Sequence, residues 1–461
     1  MIFQDAIKYI RGFRYIVDLL EIQSPAGRQL LSSLPWLKKK EEIEKTLTEV
    51  EDVQVVINDK SMSSQLSILQ NKLEGIRHIT PTFDRLKNGM IINDIELFEI
   101  KHFAILAKEI NRITKKLQIS FFSIPCLQEV IITLDPEKKE IPHFHIYDAY
   151  SNDLAALRAK INISKRDNIS IEALRKEIEE LEDEIRRKIS EKLAPYANNL
   201  KIALLEIARL DIIIAKANLA IKIGLSKPEI AEEETKYISL FNPIISHQLE
   251  IKGKKFQPVD IEIPSLPTVI TGANMTGKSV LLMSVALAQT MLQFGFFVPA
   301  ANAEIVPVDD VLISACDNYD ELNGLSSFAS EILRMDSIAK RAKSGENLLV
   351  LIDELARTTN PVEGSAIVSG VLDFLKENSV RSLITTHYSI KTDCRRLRVK
   401  GFTEKSYEAR IDLQNINSYI DYSVEEENSD KVPHEALRIS EIIGVSKELT
   451  DKFKHYINDS K

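Results

Sequence analysis

The sequence predicts an α/β protein in two parts: an all-helical front portion, then a domain in which short buried strands alternate with helices. Three observations carry this reading. Residues up to about 230 are rich in Lys and Glu, poor in Gly, and apolar at helical period. Pro258, Pro264 and Pro267 then break the chain. Beyond them, apolar runs of strand length alternate with helical patterns, as in a mostly parallel sheet flanked by helices. The change of texture is placed near Tyr237, which gives a helical domain over 1–236 and an α/β domain over 237–461.

Composition narrows the class. The 461 residues are 44% hydrophobic and 28% charged, ordinary values for a globular chain, and the length admits about three domains. No stretch approaches the roughly 18 apolar residues of a membrane span. The N-terminus, Met1 to Ala6, lacks a basic region followed by an apolar one, so no secretory signal is visible and a cytoplasmic protein is expected. Cys126, Cys316 and Cys394 are far apart and odd in number, which suits reduced thiols. A formal charge of −8 gives no help to a nucleic-acid binder, although it does not exclude a local basic surface.

In the front portion, Ser24-Pro25-Ala26-Gly27-Arg28 separates two helical segments. Ile171, Leu174, Ile178, Leu181, Ile185, Ile189 and Leu193 recur at spacings of three and four, predicting a charged helical arm over about 164–194 that ends at Pro195. It is either a lever that contacts a partner or a helix packed on its own domain. A second long helix, Leu200 to Ile223, carries Leu204, Ile207, Leu210, Ile214 and Ala217 on one face and stops at Gly224. Val130 to Pro136, followed by Glu140-Ile141, suggests a small β-hairpin. His143 and His145 would then share one side of a strand; with no third ligand in view, ordinary surface histidines are the expectation.

The chemistry concentrates in the second half. Thr268 to Thr271 reads as a buried strand, and Val280 to Phe294, free of Pro and Gly, as a helix. Between them lies Gly272-Ala273-Asn274-Met275-Thr276-Gly277-Lys278-Ser279, which fits GxxxxGK[ST]. A strand, this spacing and a helix make a phosphate-binding loop: glycines let backbone N–H groups curl around an anion, and the helix N-terminus adds partial positive charge. Lys278 would reach the β- and γ-phosphates, and the Ser279 hydroxyl would ligate Mg2+. The expected substrate is ATP or GTP. Leu348 to Ile352 is a strand ending in Asp353 and Glu354, placed to hold Mg2+ and to orient or deprotonate the attacking water respectively. Ser382 to Thr386 is a third strand, delivering His387 as a sensor of the γ-phosphate or the lytic water.

Four segments together resemble the MutS ATPases, relatives of the ABC and Rad50-type ATPases. They are Thr271 to Ser279 with Asn274-Met275 inside the loop, Gly295-Phe296-Phe297-Val298-Pro299-Ala300, Gly324 to Glu331, and Asp353-Glu354 followed by Thr386-His387-Tyr388. Phe241-Asn242-Pro243 and Phe256 are similar to the approach strands, with Phe256 the adenine-stacking residue. The resemblance implies an ABC-type P-loop domain, three-layered and mostly parallel, preceded by an all-α core and lever domain. It implies a homodimer in which ATP and Mg2+ lie between one subunit's loop and the other's Ser326. The family's usual Pro and Gly are Ala273 and Thr276 here, and Ala356-Arg357-Thr358-Thr359-Asn360 stands where it usually has Gly-Arg-Gly-Thr-Ser.

The resemblance is fainter over 1–230, where Ser24 to Leu31 is similar to the start of the core and lever helices. No mismatch-reading domain, full clamp or C-terminal nuclease-like module is visible, nor the apolar wedge and basic surface that mismatch reading needs. Two functions stay open. One is ATP-gated binding of mismatched or branched DNA. The other is a protein-remodelling ATPase resembling the reactivase subunit of a cobalamin-dependent lysine aminomutase. The basic run Arg395 to Lys400 could serve as a DNA contact or be a solvated strand end.

Overall fold

The computed structural model describes residues 1–141, 143–166, 172–314, 327–357, 359–388, 390–403, 416–427, 437, 440 and 444–459. Gly324, Leu325 and Ser326, with Cys316 and Thr358, lie outside the described residues. The fold is mixed α/β with a helical front portion. Its ten strands among the described residues are β1 (Glu229–Ile230), β2 (Thr235–Leu240), β3 (Val259–Ile263), β4 (Pro267–Thr271), β5 (Asn302–Ile305), β6 (Asp310–Ser314), β7 (Leu348–Ile352), β8 (Arg381–Thr385), β9 (Arg395–Phe402) and β10 (Ile420–Glu426). Contacts divide the chain into two compact units, one made of 1–19, 35–47 and 220–461, the other of 20–34 and 48–219.

The first unit holds both sheets. A six-stranded sheet runs β10-β9-β4-β8-β7-β6, parallel throughout except for the β9–β10 pair. A four-stranded sheet runs β1-β5-β2-β3. In the larger sheet β4 and β6 are joined through the helix Lys278–Gln293, which packs on β6, β7 and β8 and is buried almost throughout. The return crossovers, through Ser327–Lys343 and Pro361–Glu377, run the other way across the sheet. Right-handed connection therefore puts these two helices together on the opposite face, where they touch. Leu348, Val350 and Ile352, at period two, face them, with Met335, Ile338, Val368 and Leu372 completing that core.

Composition places the change of texture near Tyr237, while by contacts the first 19 residues also belong with the sheets. Aromatic and amide packing is the reason. Phe3, Phe13 and Trp36 ring Phe294 at centroid distances of 4.9, 5.4 and 5.3 Å. The Trp36 indole N–H donates to Val308 O (2.9 Å), as does the amide of buried Gln293 (2.9 Å).

The second unit is helical. The 27-residue helix Ala197–Ile223 buries Leu204, Ile207, Leu210, Ile214 and Ala217, and Gly224 beyond it has φ +70°. The charged helix Glu172–Leu193 buries only Ile185, Ile189, Ser190 and Leu193, all in its second half. Ser24 starts the helix Pro25–Leu31 as its N-cap, where the sequence suggests a break: its hydroxyl accepts from Gly27 N–H and donates to Asp211. The hairpin expected at 130–141 is absent, because Gln128–Leu134 is a helix. Val130, Ile131 and Leu134 form its buried face, at spacings of one, three and four. His143 and His145 are on no strand; the His143 carbonyl accepts from the fully buried ammonium of Lys101, which also pairs with Asp135.

Lys216 is buried near Glu49 and Arg209, and burial pushes its ammonium down to about 7. From pH 7 to 10 the unfolded chain keeps a proton there that the folded chain releases, so stability rises with pH across that window. Lys216→Met is expected to raise the melting temperature at pH 7 by several degrees, with the advantage shrinking toward pH 10. An equal advantage at both pH values would contradict this account.

Candidate functional site

The site is set by strand order. β8 lies between β4 and β7, all three parallel, with Ile270 paired to Thr385 and Ile352 to Ile384. Their C-terminal ends are therefore level, and whatever follows each strand emerges at one edge of the sheet. Gly272 to Gly277 follows β4, Asp353-Glu354 follows β7, and Thr386-His387 follows β8. Two strand spacings of about 4.8 Å separate the loop strand from the acidic strand.

The loop has the backbone that its glycines permit. Gly272 has φ +135°, Met275 +71° and Gly277 +87°, so the chain curls tightly before the helix Lys278–Gln293 begins. Gly277 caps that helix in a left-handed conformation, and a Cβ there would stand 3.0 Å from the ring of Tyr422. Thr276 is buried and its hydroxyl donates to Ala273 O at 2.8 Å. Lys278 is only 5% exposed, and its ammonium donates to Gly272 O (2.6 Å) and Ala273 O (2.8 Å). The cation thus lies across the mouth of the loop, held by the loop's own carbonyls.

The two carboxylates are held differently. Asp353 N–H continues the β6–β7 pairing by donating to Ser314 O (2.8 Å). The buried Thr385 hydroxyl donates to Asp353 Oδ1 (2.7 Å) and accepts from Glu354 N–H (2.8 Å), so one side chain of β8 fixes both acids. Glu354 has φ +55°, a conformation that costs a non-glycine residue about 1–3 kcal/mol. Its carboxylate meets His387 Nε2 at 3.1 Å and Arg357 Nη1 at 3.1 Å, and is 22% exposed. The sequence suggests His387 as a sensor of the γ-phosphate or the lytic water; its contact with the Glu354 carboxylate is an arrangement the sequence does not announce.

Beside the loop lies a cavity of about 700 Å³. Met275, Gly277 and Val280 form one wall, and Phe256 and Tyr422 stand on others. Gln257 joins those two walls: its amide donates to Asp421 Oδ1 (2.8 Å) and accepts from Tyr422 N–H (3.2 Å). Burial raises the Tyr422 phenol above its ordinary range. Sequence reasoning names Phe256 but not Tyr422, Gln257 or Thr385. Only the Thr-Thr pair ahead of His387 offers a signal for the last of these.

Two quoted segments fall elsewhere. Phe296, Phe297, Val298 and Ala300 are buried, so that segment is core. Arg395 to Lys400 makes up the first six residues of β9, which lies inside the sheet between β4 and β10. Arg395 pairs with Glu426 (2.7 Å) and donates to Glu262 O (2.9 Å). Ser326 cannot be placed with the site, lying outside the described residues.

This is a mixed α/β protein whose glycine loop, helix N-terminus and paired carboxylates share one sheet edge. A family model described as MutS domain V matches residues 268–459. Endonuclease MutS2 of Caldanaerobacter subterraneus is 30% identical over 346 residues, covering 72% of this chain and 42% of that protein. Endonuclease MutS2 of Thermus thermophilus is 34% identical over 222 residues, 48% of this chain and 28% of that protein. DNA mismatch repair protein MutS of Thermus aquaticus is 32% identical over 224 residues, 49% and 26% respectively. The chain belongs to the MutS family, and spans less than half the length of these relatives. No helix among the described residues is long and apolar enough to cross a membrane.

Thr385→Val is expected to cost about 1–3 kcal/mol of stability in chemical denaturation, because it leaves Glu354 N–H and one Asp353 oxygen without a partner. Thr385→Ser, which keeps the hydroxyl, is expected to stay near wild type. Equal losses for both would show that the hydroxyl is not what matters.

Proposed function

We propose that this chain binds and hydrolyses ATP with Mg2+ and uses that cycle, as a dimer of its α/β units, to gate contact with DNA. The observation that carries the proposal is the level register of β4, β8 and β7, which sets the glycine loop and both carboxylates at one edge about 10 Å apart. A triphosphate with its metal fits that span, and the donor set suits it: backbone N–H groups and an ammonium for phosphate, a hydroxyl and a carboxylate for a hard cation.

Gly272 to Gly277 binds the phosphates through backbone N–H groups, and Lys278 exchanges its bonds to the Gly272 and Ala273 carbonyls for phosphate oxygens. Ser279 and Asp353 hold Mg2+, with Thr385 fixing the Asp353 carboxylate. When bound, Mg2+ neutralises charge building on the β- and γ-oxygens. Glu354 orients a water and takes its proton, and His387 holds the Glu354 carboxylate in place. Phe256 and Tyr422 border the cavity that receives the base. Ser326 of a second copy completes the site at the γ-phosphate, so that ATP joins two chains and hydrolysis lets them part.

DNA is favoured as the macromolecular partner because relatives of this chain are named endonuclease MutS2 and DNA mismatch repair protein MutS. The aminomutase-reactivase alternative has no specific observation in its favour. Within the basic run, Arg395 is already engaged by Glu426 and the Glu262 carbonyl.

Lys278→Ala is expected to abolish nucleotide binding, read by fluorescent-nucleotide titration, while Glu354→Gln binds ATP and accumulates as a dimer in light scattering. Wild-type turnover in Glu354→Gln would refute its role as general base. Turnover is expected to rise with mismatched or branched DNA, with binding that weakens steeply with salt. Indifference to every DNA form would overturn the DNA half of the proposal alone.

A further inference from the structure

The loop after Glu354 holds an arrangement that the reading above leaves unused. Ala356 has φ +62° and is fully buried, and Glu354, two residues earlier, has φ +55°. Left-handed backbone at two non-glycine residues persists only where the surroundings impose it, and such imposed strain clusters at functional sites. Here the surroundings can be named. Ala356 N–H donates to Glu331 Oε1 at 3.1 Å, and Ala356 O accepts from the Tyr388 hydroxyl at 2.8 Å. The same hydroxyl stands 3.3 Å from Thr359 O. Both backbone polar groups of one residue are thus held by side chains from different elements.

Each gripping residue is fixed in turn. Glu331 is on the helix Ser327–Lys343, half-buried, and burial raises its carboxyl above the ordinary range. Tyr388 follows β8, and its own N–H donates to Thr386 Oγ1 at 3.1 Å. Its ring lies on Gly364 of the helix Pro361–Glu377: a Cβ at 364 would fall 2.5 Å from the ring's Cζ. Only glycine lets the phenol come close enough to reach Ala356 O. Packing alone would account for the ring on Gly364 but not for the hydroxyl contact with Ala356 O.

We infer that Tyr388 and Glu331 are positioning residues that clamp the Ala356 residue from both sides and so hold Glu354 in the backbone conformation that hydrolysis needs. The inference rests on the ATPase reading above and names the parts that aim its general base. It also links the helix Ser327–Lys343 to the hydrolytic loop through the hydrogen bond from Ala356 N–H to Glu331. Neither clamp residue touches substrate; both act through the position of Glu354.

The test uses the full chain with Mg2+ and ATP. Tyr388→Phe keeps the ring and removes only the hydroxyl. It is expected to lower kcat about tenfold while KM stays within about twofold, since a lost hydrogen bond of this kind is worth about that factor. Glu331→Ala is expected to act in the same direction. Glycine adopts left-handed backbone without strain. Adding Ala356→Gly to Tyr388→Phe is therefore expected to recover most of the lost kcat. Melting curves run beside the kinetics separate folding from positioning. The inference is overturned by a Tyr388→Phe enzyme with wild-type kcat, by a loss that Ala356→Gly does not relieve, or by a loss that only follows the fraction folded. A wild-type chain that binds ATP without turning it over overturns the hydrolysis reading, and the clamp with it.

Discussion

The arrangement depends on β8 pairing in parallel with β4 on one side and β7 on the other. Parallel pairing forces all three strands to end at the same edge, and the register makes those ends level. A strand from elsewhere in the chain then lies between the glycine loop and the acidic pair. That middle position gives the Thr385 hydroxyl contact with both Asp353 and Glu354 and puts His387 against the Glu354 carboxylate. If β8 were displaced to the sheet's rim, the loop and the acids would sit one strand closer and the acids would lose their anchor. Sheet order, more than any single residue, makes the centre.

The charges at this edge are already satisfied within the chain. Lys278 is bound to two backbone carbonyls, and Glu354 to a guanidinium and an imidazole. On the proposed reading, an anion arriving here would take over hydrogen bonds that Lys278, a residue only 5% exposed, now makes to the loop, so that no bare charge is exposed. Burying a cation in a loop of this kind without those carbonyls would cost several kcal/mol. The same economy explains β9, where Arg395 lies between Glu262 and Glu426. The first cation of a run that reads as basic in sequence is thus paired within the chain.

What could be read from the sequence was local. The glycine loop, the strand ending in Asp353-Glu354 and the strand ending ahead of His387 are contiguous patterns with punctuation at fixed offsets, and they stand where expected. Thr385, Tyr422 and the clamp on Ala356 were not legible, because each depends on which strands are neighbours, and a single sequence does not carry that order. The misread segment Val130 to Leu134 shows a different limit. A short run of β-branched apolar residues suits a strand or one buried helical turn equally, and burial decided for the helix. The assignment of 1–19 to the sheet unit hangs on the aromatic cluster around Phe294, which lies hundreds of residues along the chain from Phe3 and Phe13.

The central claim is that this edge is a nucleotide site assembled by register, with loop and carboxylates acting on one ligand. Calorimetric titration of the intact chain with ATP, once with Mg2+ and once with excess chelator, tests it most directly. The account predicts one nucleotide per chain with Mg2+ and a clear loss of affinity without it, because Ser279 and Asp353 can then contribute only through water. Heat of binding that is absent, or identical in both titrations, would contradict it.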